Sequence, residues 1–236
     1  MQMVEAVADR GPLTARALSE ATGIVLPTTY HLLRTLVHEG YLCRCADGLY
    51  GLGGQFASVA QLERRARGLR LIREEMAELS ATGRVSVSLG SLRGDEIVVS
   101  NFVGHVCAPR FECWSGMVLP GHATAMGKVI LARMDPRQRA DYLGTHPLQA
   151  FTNQTVTAPW RLEAELSDTG LARSDQQYRY GISCAAVSLV SEGKLAALSA
   201  TFASTRAERF RDRIDELLTA AVDRIAMALQ FIGPKT

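Results

Sequence analysis

Apolar and polar residues alternate along this chain in two rhythms, and the first is helical. Leu13, Ala17, Leu18 and Ala21 recur at helical spacing, Thr14 suits the N-cap, and Gly23 offers the left-handed residue that stops a helix. After a tight turn Pro27 opens a second helix that runs to about Glu39, with Gly40 as its terminator. A proline is favourable in a first turn, where its missing amide hydrogen has no bond to lose. Thr29, Leu32, Leu33, Leu36 and Val37 fall on one arc of this helix, and Pro27, Thr28, His31, Arg34, Thr35 and His38 on the opposite one. Tyr41 to Cys45 and Leu49 to Leu52 read as strands around Asp47-Gly48, a strong hairpin signal. Two helices and a hairpin predict a winged helix-turn-helix over residues 1–53.

Gly53-Gly54 breaks the wing from residues 54–68, where Phe56, Val59 and Ala60 followed by Glu63, Arg64 and Arg65 predict a linker helix. A second helix, Leu69 to Ala81, carries Leu69, Ile72, Met76 and Leu79 on one stripe and stops at Gly83. From Val85 the period changes to two. Val85, Val87 and Leu89 alternate with serines, Arg93-Gly94-Asp95 turns the chain, Ile97 to Val103 returns, and a third strand is expected over Val106 to Cys113. Helices are expected at His122 to Arg133, after the Asp135-Pro136 cap, and from Pro159 to Thr169 with a stop at Gly170. Strands Ile182 to Leu189 and Leu195 to Phe202 follow, joined by the hairpin Ser191-Glu192-Gly193-Lys194. A terminal helix from Glu208 to Phe231 places Ile214, Leu217, Leu218, Ala221, Ile225 and Ala228 on one face. Strands, helices, strands and helix predict an α+β domain with an antiparallel sheet over residues 69–236.

Composition narrows this picture. With 236 residues and 47% hydrophobic content there is room for two cored domains. The balance of 26 basic and 24 acidic residues excludes a polybasic or acidic solvating chain. No run of 18 apolar residues and no signal-peptide layout occurs, so a cytoplasmic protein without a membrane partner is expected. Residues 1–66 hold six basic and six acidic side chains, so DNA affinity would have to rest on placed groups and dimer avidity rather than on a basic footprint. Five cysteines, an odd count, argue against a disulfide framework. Cys43 and Cys45 share a strand face in poor geometry for bonding to each other, and with His31 and His38 they match no standard zinc spacing. Buried, inert thiols are expected, with no metal and no cofactor.

The polar arc of the second helix can enter a major groove, where arginine engages guanine and threonine meets base edges or phosphates. Thr28, Thr29, Tyr30, His31 and Arg34 are therefore placed in or beside the groove, flanked by Thr14, Arg16 and Arg44. A small interaction module with no nucleic acid is the competing reading. In the second domain, Leu119-Pro120-Gly121-His122-Ala123-Thr124 leads into a helix whose first amides could meet an anion, with small residues leaving room. Catalysis would need Cys184 as nucleophile, His122 as base and Asp175 as orienter, a thiol hydrolase. No glycine turn exposes Cys184, so no enzyme is expected. A pure dimerisation scaffold is the third class.

Several segments together resemble the isocitrate-lyase-regulator (IclR) family of bacterial transcription regulators. They are Gly23-Ile24-Val25-Leu26-Pro27-Thr28-Thr29-Tyr30-His31-Leu32-Leu33-Arg34-Thr35-Leu36, Glu39-Gly40-Tyr41-Leu42 and Tyr50-Gly51-Leu52-Gly53 in the first domain. In the second they are Leu119 to Lys128, Gly181-Ile182-Ser183-Cys184-Ala185-Ala186 and Ala196-Ala197-Leu198-Ser199. Where many members carry a basic residue this chain has Leu26 and His31, so its recognition helix has less charge. The resemblance implies a winged helix, a linker helix and a GAF-like effector-binding domain. It also implies double-stranded operator DNA and a small organic effector, carboxylate-bearing, as partners of a homodimer or homotetramer. By residue matching, Cys184, Ser199 and Thr201 line the effector pocket, Ile182 is an apolar wall and Ser174 or Asp175 lies at the mouth. Leu119, Gly121, His122, Ala123 and Thr124 then supply the helix-start side. Two hydroxyls facing an interior from one strand need partners, which favours Ser199 and Thr201.

Overall fold

The computed structural model describes residues 1–166, 170–191 and 194–232. The chain forms two compact units, Met1–Ala66 and Arg67–Thr236.

In the first unit, α1 (Gln2–Arg10), α2 (Ala15–Thr22) and α3 (Leu26–His38) enclose a core of Met3, Val4, Val7, Ala15, Leu18, Leu33 and Leu42. A small antiparallel sheet, ordered β1 (Leu13–Thr14), β3 (Leu49–Leu52), β2 (Leu42–Arg44), forms the wing. The Thr14 hydroxyl accepts the Ala17 amide at 3.2 Å, capping α2. Leu13, expected on the helix stripe, instead pairs with Tyr50 in the sheet. Asp47 and Gly48 have φ of 60° and 72°, successive left-handed residues that reverse the chain in step with the twist of β2 and β3. The apolar arc of α3 is narrower than its sequence suggests, because only Thr29 and Leu33 are fully buried while Leu32 faces outward.

The segments expected as a linker helix and a separate second helix are one element, α4 (Gly54–Gly83), of 30 residues. Gly68 does not end a helix. A Cβ there would lie 2.8 Å from the Ala228 carbonyl oxygen and 2.8 Å from Ile232, so glycine lets α4 lie close against the chain's last helix.

The second unit is built on a five-stranded antiparallel sheet ordered β5 (Glu96–Val103), β4 (Ser86–Arg93), β8 (Lys194–Ala203), β7 (Ile182–Ser191), β6 (Leu171–Asp175). Period-two alternation gives the sheet two different faces. Val87, Leu89, Ala185, Val187, Leu198 and Ala200 pack against Ile72, Met76 and Leu79 of α4 and against Ile214, Leu218 and Ile225 of α8 (Arg211–Leu229). On the opposite side α5 (Ala125–Arg133), α6 (Pro136–Thr145) and α7 (Pro159–Glu165) contribute a second core that includes Met126, Val129, Ile130, Tyr142 and Leu162.

Several boundaries differ from expectation. Residues 106–113 form no strand; Pro109 removes an amide that a ladder would need. The chain pairs with β5 further on instead, through Val99 to Met117 and Leu119 to Ile97, each at 2.9 Å. Helix α5 starts at Ala125 rather than His122 because the Thr124 hydroxyl takes the Gly127 amide at 3.1 Å. Strand β6 was not anticipated. Of the expected hairpin, Ser191 and Lys194 are paired while Glu192-Gly193 lies outside the described residues, as do residues 167–169 at the expected end of α7.

Candidate DNA-contact face and effector cavity

Helix α3 presents Thr28, Tyr30, His31, Arg34 and Thr35 to the surface. Tyr30 is 54% exposed, and the Arg34 and His31 side chains are exposed and form no hydrogen bond or ion pair among the described residues. Thr29 does not belong with them. It is fully buried, and its hydroxyl lies 3.2 Å from the carbonyls of both Ile24 and Val25, locking the turn into the start of α3. The Thr14 hydroxyl is likewise committed to its cap. Arg16 pairs loosely with Glu20 at 3.9 Å, both largely exposed, an interaction of about 0–1 kcal/mol that a phosphate can replace. Arg44 is exposed at the end of β2.

In the second unit, strand register builds a polar patch on the α5 side of the sheet. Thr201 of β8 pairs with Ser86 of β4 and Cys184 of β7, which pairs onward with Ser174 of β6. One rung away Ser199 pairs with Ser88 and Ala186. A cavity of about 30 Å³ lies against this patch, closed by Thr124, Ala125 and Met126 of the α5 start and by Leu119, Ile182, Phe111, Cys113 and Tyr178. That is room for a water or two. Ser174 is tied to the Ala123 carbonyl at 2.7 Å, and Thr201 to Cys184 at 3.4 Å. Ser88 and Ser199 are 7% and 3% exposed, and among the described residues their hydroxyls have no partner in the protein. No acidic or basic side chain lines the cavity. Two larger and more open clefts exist, about 290 Å³ beside Asp95, Asp141 and Tyr142 and about 200 Å³ beside Arg73, Ser100 and Phe102. Neither is lined by Ser88, Ser199 or Thr201.

The structure thus brings Leu119, Thr124, Ile182, Cys184, Ser199 and Thr201 to one cavity, and leaves Gly121, His122, Ala123 and Asp175 off its wall. Asp175 follows Ser174 on the same strand, so the pleat sends it to the other face, where it accepts the Ser183 hydroxyl. Gly121 packs beneath Tyr142, whose hydroxyl accepts its amide at 3.2 Å, and lets Gly127 approach so closely that a Cβ there would sit 2.4 Å from the Gly121 Cα. Ala123 is buried, its carbonyl engaged by Ser174. His122 is buried against Phe151, with Nε2 2.9 Å from the Gln149 carbonyl. Burial holds its pKa below the ordinary histidine value, partly offset by that hydrogen bond, with Lys128 adding a smaller push downward. Ser88, Phe111, Cys113 and Tyr178 are lining residues that sequence reasoning missed; Ser88 was within reach, as a serine on the alternating strand that begins at Val85.

The catalytic alternative finds no constellation. Burial pushes the Cys184 thiol up to about 11, and its nearest polar partner is Thr201 rather than a base. Cys113 is also pushed up to about 11, chiefly by burial. The expectation of uniformly buried thiols fails elsewhere, since Cys43 and Cys107 are exposed. Among the described residues no helix is long and apolar enough to cross a membrane.

A winged helix with an open polar face, on one chain with an α+β unit that encloses a mostly apolar cavity edged by hydroxyls, is the build of a DNA-binding regulator of transcription. Residues 1–44 match the IclR helix-turn-helix domain, and residues 68–227 match the bacterial transcriptional regulator IclR C-terminal domain. The chain belongs to the IclR family of transcriptional regulators. It is 24% identical to the transcriptional repressor IclR of Escherichia coli over 202 residues, 81% of this chain and 73% of the relative. It is similar in structure to an IclR homolog from Microbacterium sp. strain HM58-2, with a TM-score of 0.64 and 25% identity over 97% of this chain and 95% of that one. An IclR homolog from Microbacterium hydrocarbonoxydans, solved in complex with 4-hydroxybenzoate, gives a TM-score of 0.62 and 25% identity over 97% and 96%. These relatives are regulators, and neither the hydrolase nor the nucleic-acid-free module is the protein's class.

Proposed function

We propose that this protein is a cytoplasmic, ligand-responsive regulator that binds operator DNA as a homodimer and senses a small organic acid or phenol in the cavity between the α5 start and strands β4, β7 and β8. The observation that carries the sensing half is the pair of cavity-lining hydroxyls, Ser88 and Ser199, opposite each other in register and without a hydrogen bond among the described residues. Both hydroxyls open onto the cavity, so one ligand oxygen placed there can take a hydrogen bond from each. The first amides of α5 add a partial positive charge that suits a carboxylate, in a cavity with no arginine or lysine to supply one. The 4-hydroxybenzoate bound to a relative has both groups, a carboxylate and a hydroxyl. At about 30 Å³ the cavity admits such a ring only by widening. Binding therefore selects a wider state, which is what a ligand needs in order to shift an equilibrium. The DNA-binding half rests on Tyr30, His31 and Arg34 of α3, with Arg44 at the wing; a dimer presents two such faces to a palindromic site.

Thermal unfolding of the full chain with benzoate, hydroxybenzoates and short aliphatic acids tests the sensing half. One class should raise the transition in proportion to the logarithm of its concentration. If no acid or phenol shifts it at millimolar concentration, the assignment of this cavity fails. Selection from random duplexes tests the other half, with enrichment of a palindromic half-site as the expected result.

A further inference from the structure

We propose that Cys43 and Cys45 form an oxidisable dithiol on the wing, which closes to an intrachain disulfide when it meets a peroxide and reopens with a thiol reductant. The two sulfurs stand 3.9 Å apart, although residues two apart in an extended strand are separated by about 6.6 Å. They come together because β2 ends at Arg44: Cys45 has already turned toward the hairpin, its amide bonded to the Leu49 carbonyl at 2.8 Å. Both lean over Gly51 on the facing strand, where a Cβ would sit 2.9 Å from the Cys45 sulfur and 3.6 Å from that of Cys43. The missing side chain is the space the thiols share. Cys43 is exposed and Cys45 half-exposed, so the pair is open to solvent. Among the described residues no third histidine, cysteine or carboxylate completes a metal site with them. Closing the bond requires the sulfurs to approach by about 2 Å, within reach of side-chain rotation plus a small bend at Arg44.

The chemistry balances with a peroxide as oxidant. The more exposed Cys43, as thiolate, attacks the O–O bond, giving a sulfenic acid and a hydroxide that takes up the proton the thiol had released and leaves as water; the Cys45 thiol attacks that sulfur, and its proton leaves with the sulfenic oxygen as a second water. Partial burial and the neighbouring thiol push the Cys45 pKa up, consistent with its acting second. Arg44 lies between the two cysteines, so closure moves its guanidinium; that consequence for DNA rests on the reading of the wing given above.

The reduced full-length protein is treated with equimolar hydrogen peroxide, quenched, unfolded and assayed for thiols, then cut with trypsin without reduction. Free thiols should fall from five to three. Trypsin cuts after Arg44, so the flanking peptides that carry Cys43 and Cys45 should emerge joined, two hydrogens lighter than their sum, and separate on reduction. Cys43→Ser and Cys45→Ser should each abolish the joined species. Sulfinic acid at Cys43, a disulfide to Cys107 or a chain-to-chain disulfide in its place overturns the proposal. Affinity for a mixed-sequence duplex, measured before and after oxidation, should change at least threefold in wild type and not in Cys45→Ser. A joined peptide with unchanged affinity overturns the regulatory consequence alone.

Discussion

The ammonium of Lys128, 1% exposed, lies 2.5 Å from the carboxylate of Glu165 and so ties α5 to α7. Gln177 and the Arg173 carbonyl take its other hydrogens. Burial lowers the Lys128 pKa, and the carboxylate opposes that fall. Nothing in the sequence announces this lysine, which sits among apolar residues in the first turns of α5. Removing one partner of a buried pair costs more than removing both. Lys128→Met should destabilise the second unit by about 3 kcal/mol, the low end of the usual range because Glu165 reaches solvent. Adding Glu165→Leu should recover part of the loss. Urea unfolding checks both, and equal losses in the single and double variants would show that the pair is not coupled.

Thr28 and Thr29 separate recognition from folding. Thr29→Val removes a buried hydroxyl bonded to the Ile24 and Val25 carbonyls, and should cost the first unit about 1 kcal/mol while the exposed face of α3 stays intact. Arg34→Ala should do the reverse, weakening operator binding by about 1–3 kcal/mol if it pairs with guanine, with no change in unfolding. Melting curves and anisotropy titrations on both variants distinguish the two roles. Comparable loss of DNA affinity in Thr29→Val would return that residue to the contact face.

How much of this was legible follows from what each signal measures. Caps and hairpin turns depend on neighbours in sequence, so Thr14, Asp135 and Asp47-Gly48 could be read directly. Helix periodicity gave the direction of the α3 core but not its width, and Leu32 ended outside. Gly68 carries the same letter as a terminator; only the approach of Ala228, far along the chain, decides that it is a contact. The site divided the same way. Ser199 and Thr201 were recoverable from strand alternation. Applied to Ser174 and Asp175, the same alternation excludes one of them, but only once β6 is known to be a strand. His122 lies off the cavity wall for a different reason: nothing local shows that Gln149 and Phe151 claim its ring.

The burial of His122 has a consequence for stability against pH. Its folded pKa lies below the ordinary histidine value, whereas in the unfolded chain it titrates near about 6.5. Below that pH the unfolded state binds a proton that the folded state refuses. The histidine's contribution is thus fully present above about pH 6.5 and is lost as pH falls toward the folded pKa. His122→Gln, which keeps a donor for the Gln149 carbonyl, should show a smaller drop in urea midpoint between pH 7.5 and 5.5 than wild type. The same drop in both proteins would remove His122 as its source.

Ser88 and Ser199 give the effector reading its strictest test. Because their hydroxyls line the cavity and form no hydrogen bond among the described residues, replacing both with alanine removes no bond from the unliganded fold. Ser88→Ala with Ser199→Ala should leave the melting temperature unchanged or slightly raised. Basal DNA affinity should also stay within twofold. An effector held by two hydroxyls loses about 1 kcal/mol for each, so the double variant should need roughly tenfold or more effector for the same thermal shift. DNA response must move with it, since a ligand shifts the regulator only by its differential affinity for the two states. Thr201→Val serves as the contrast: its hydroxyl faces Cys184 at 3.4 Å, and its loss should cost stability as well as response. A double serine variant that melts several degrees lower yet responds normally would place these hydroxyls in the fold and the effector somewhere else.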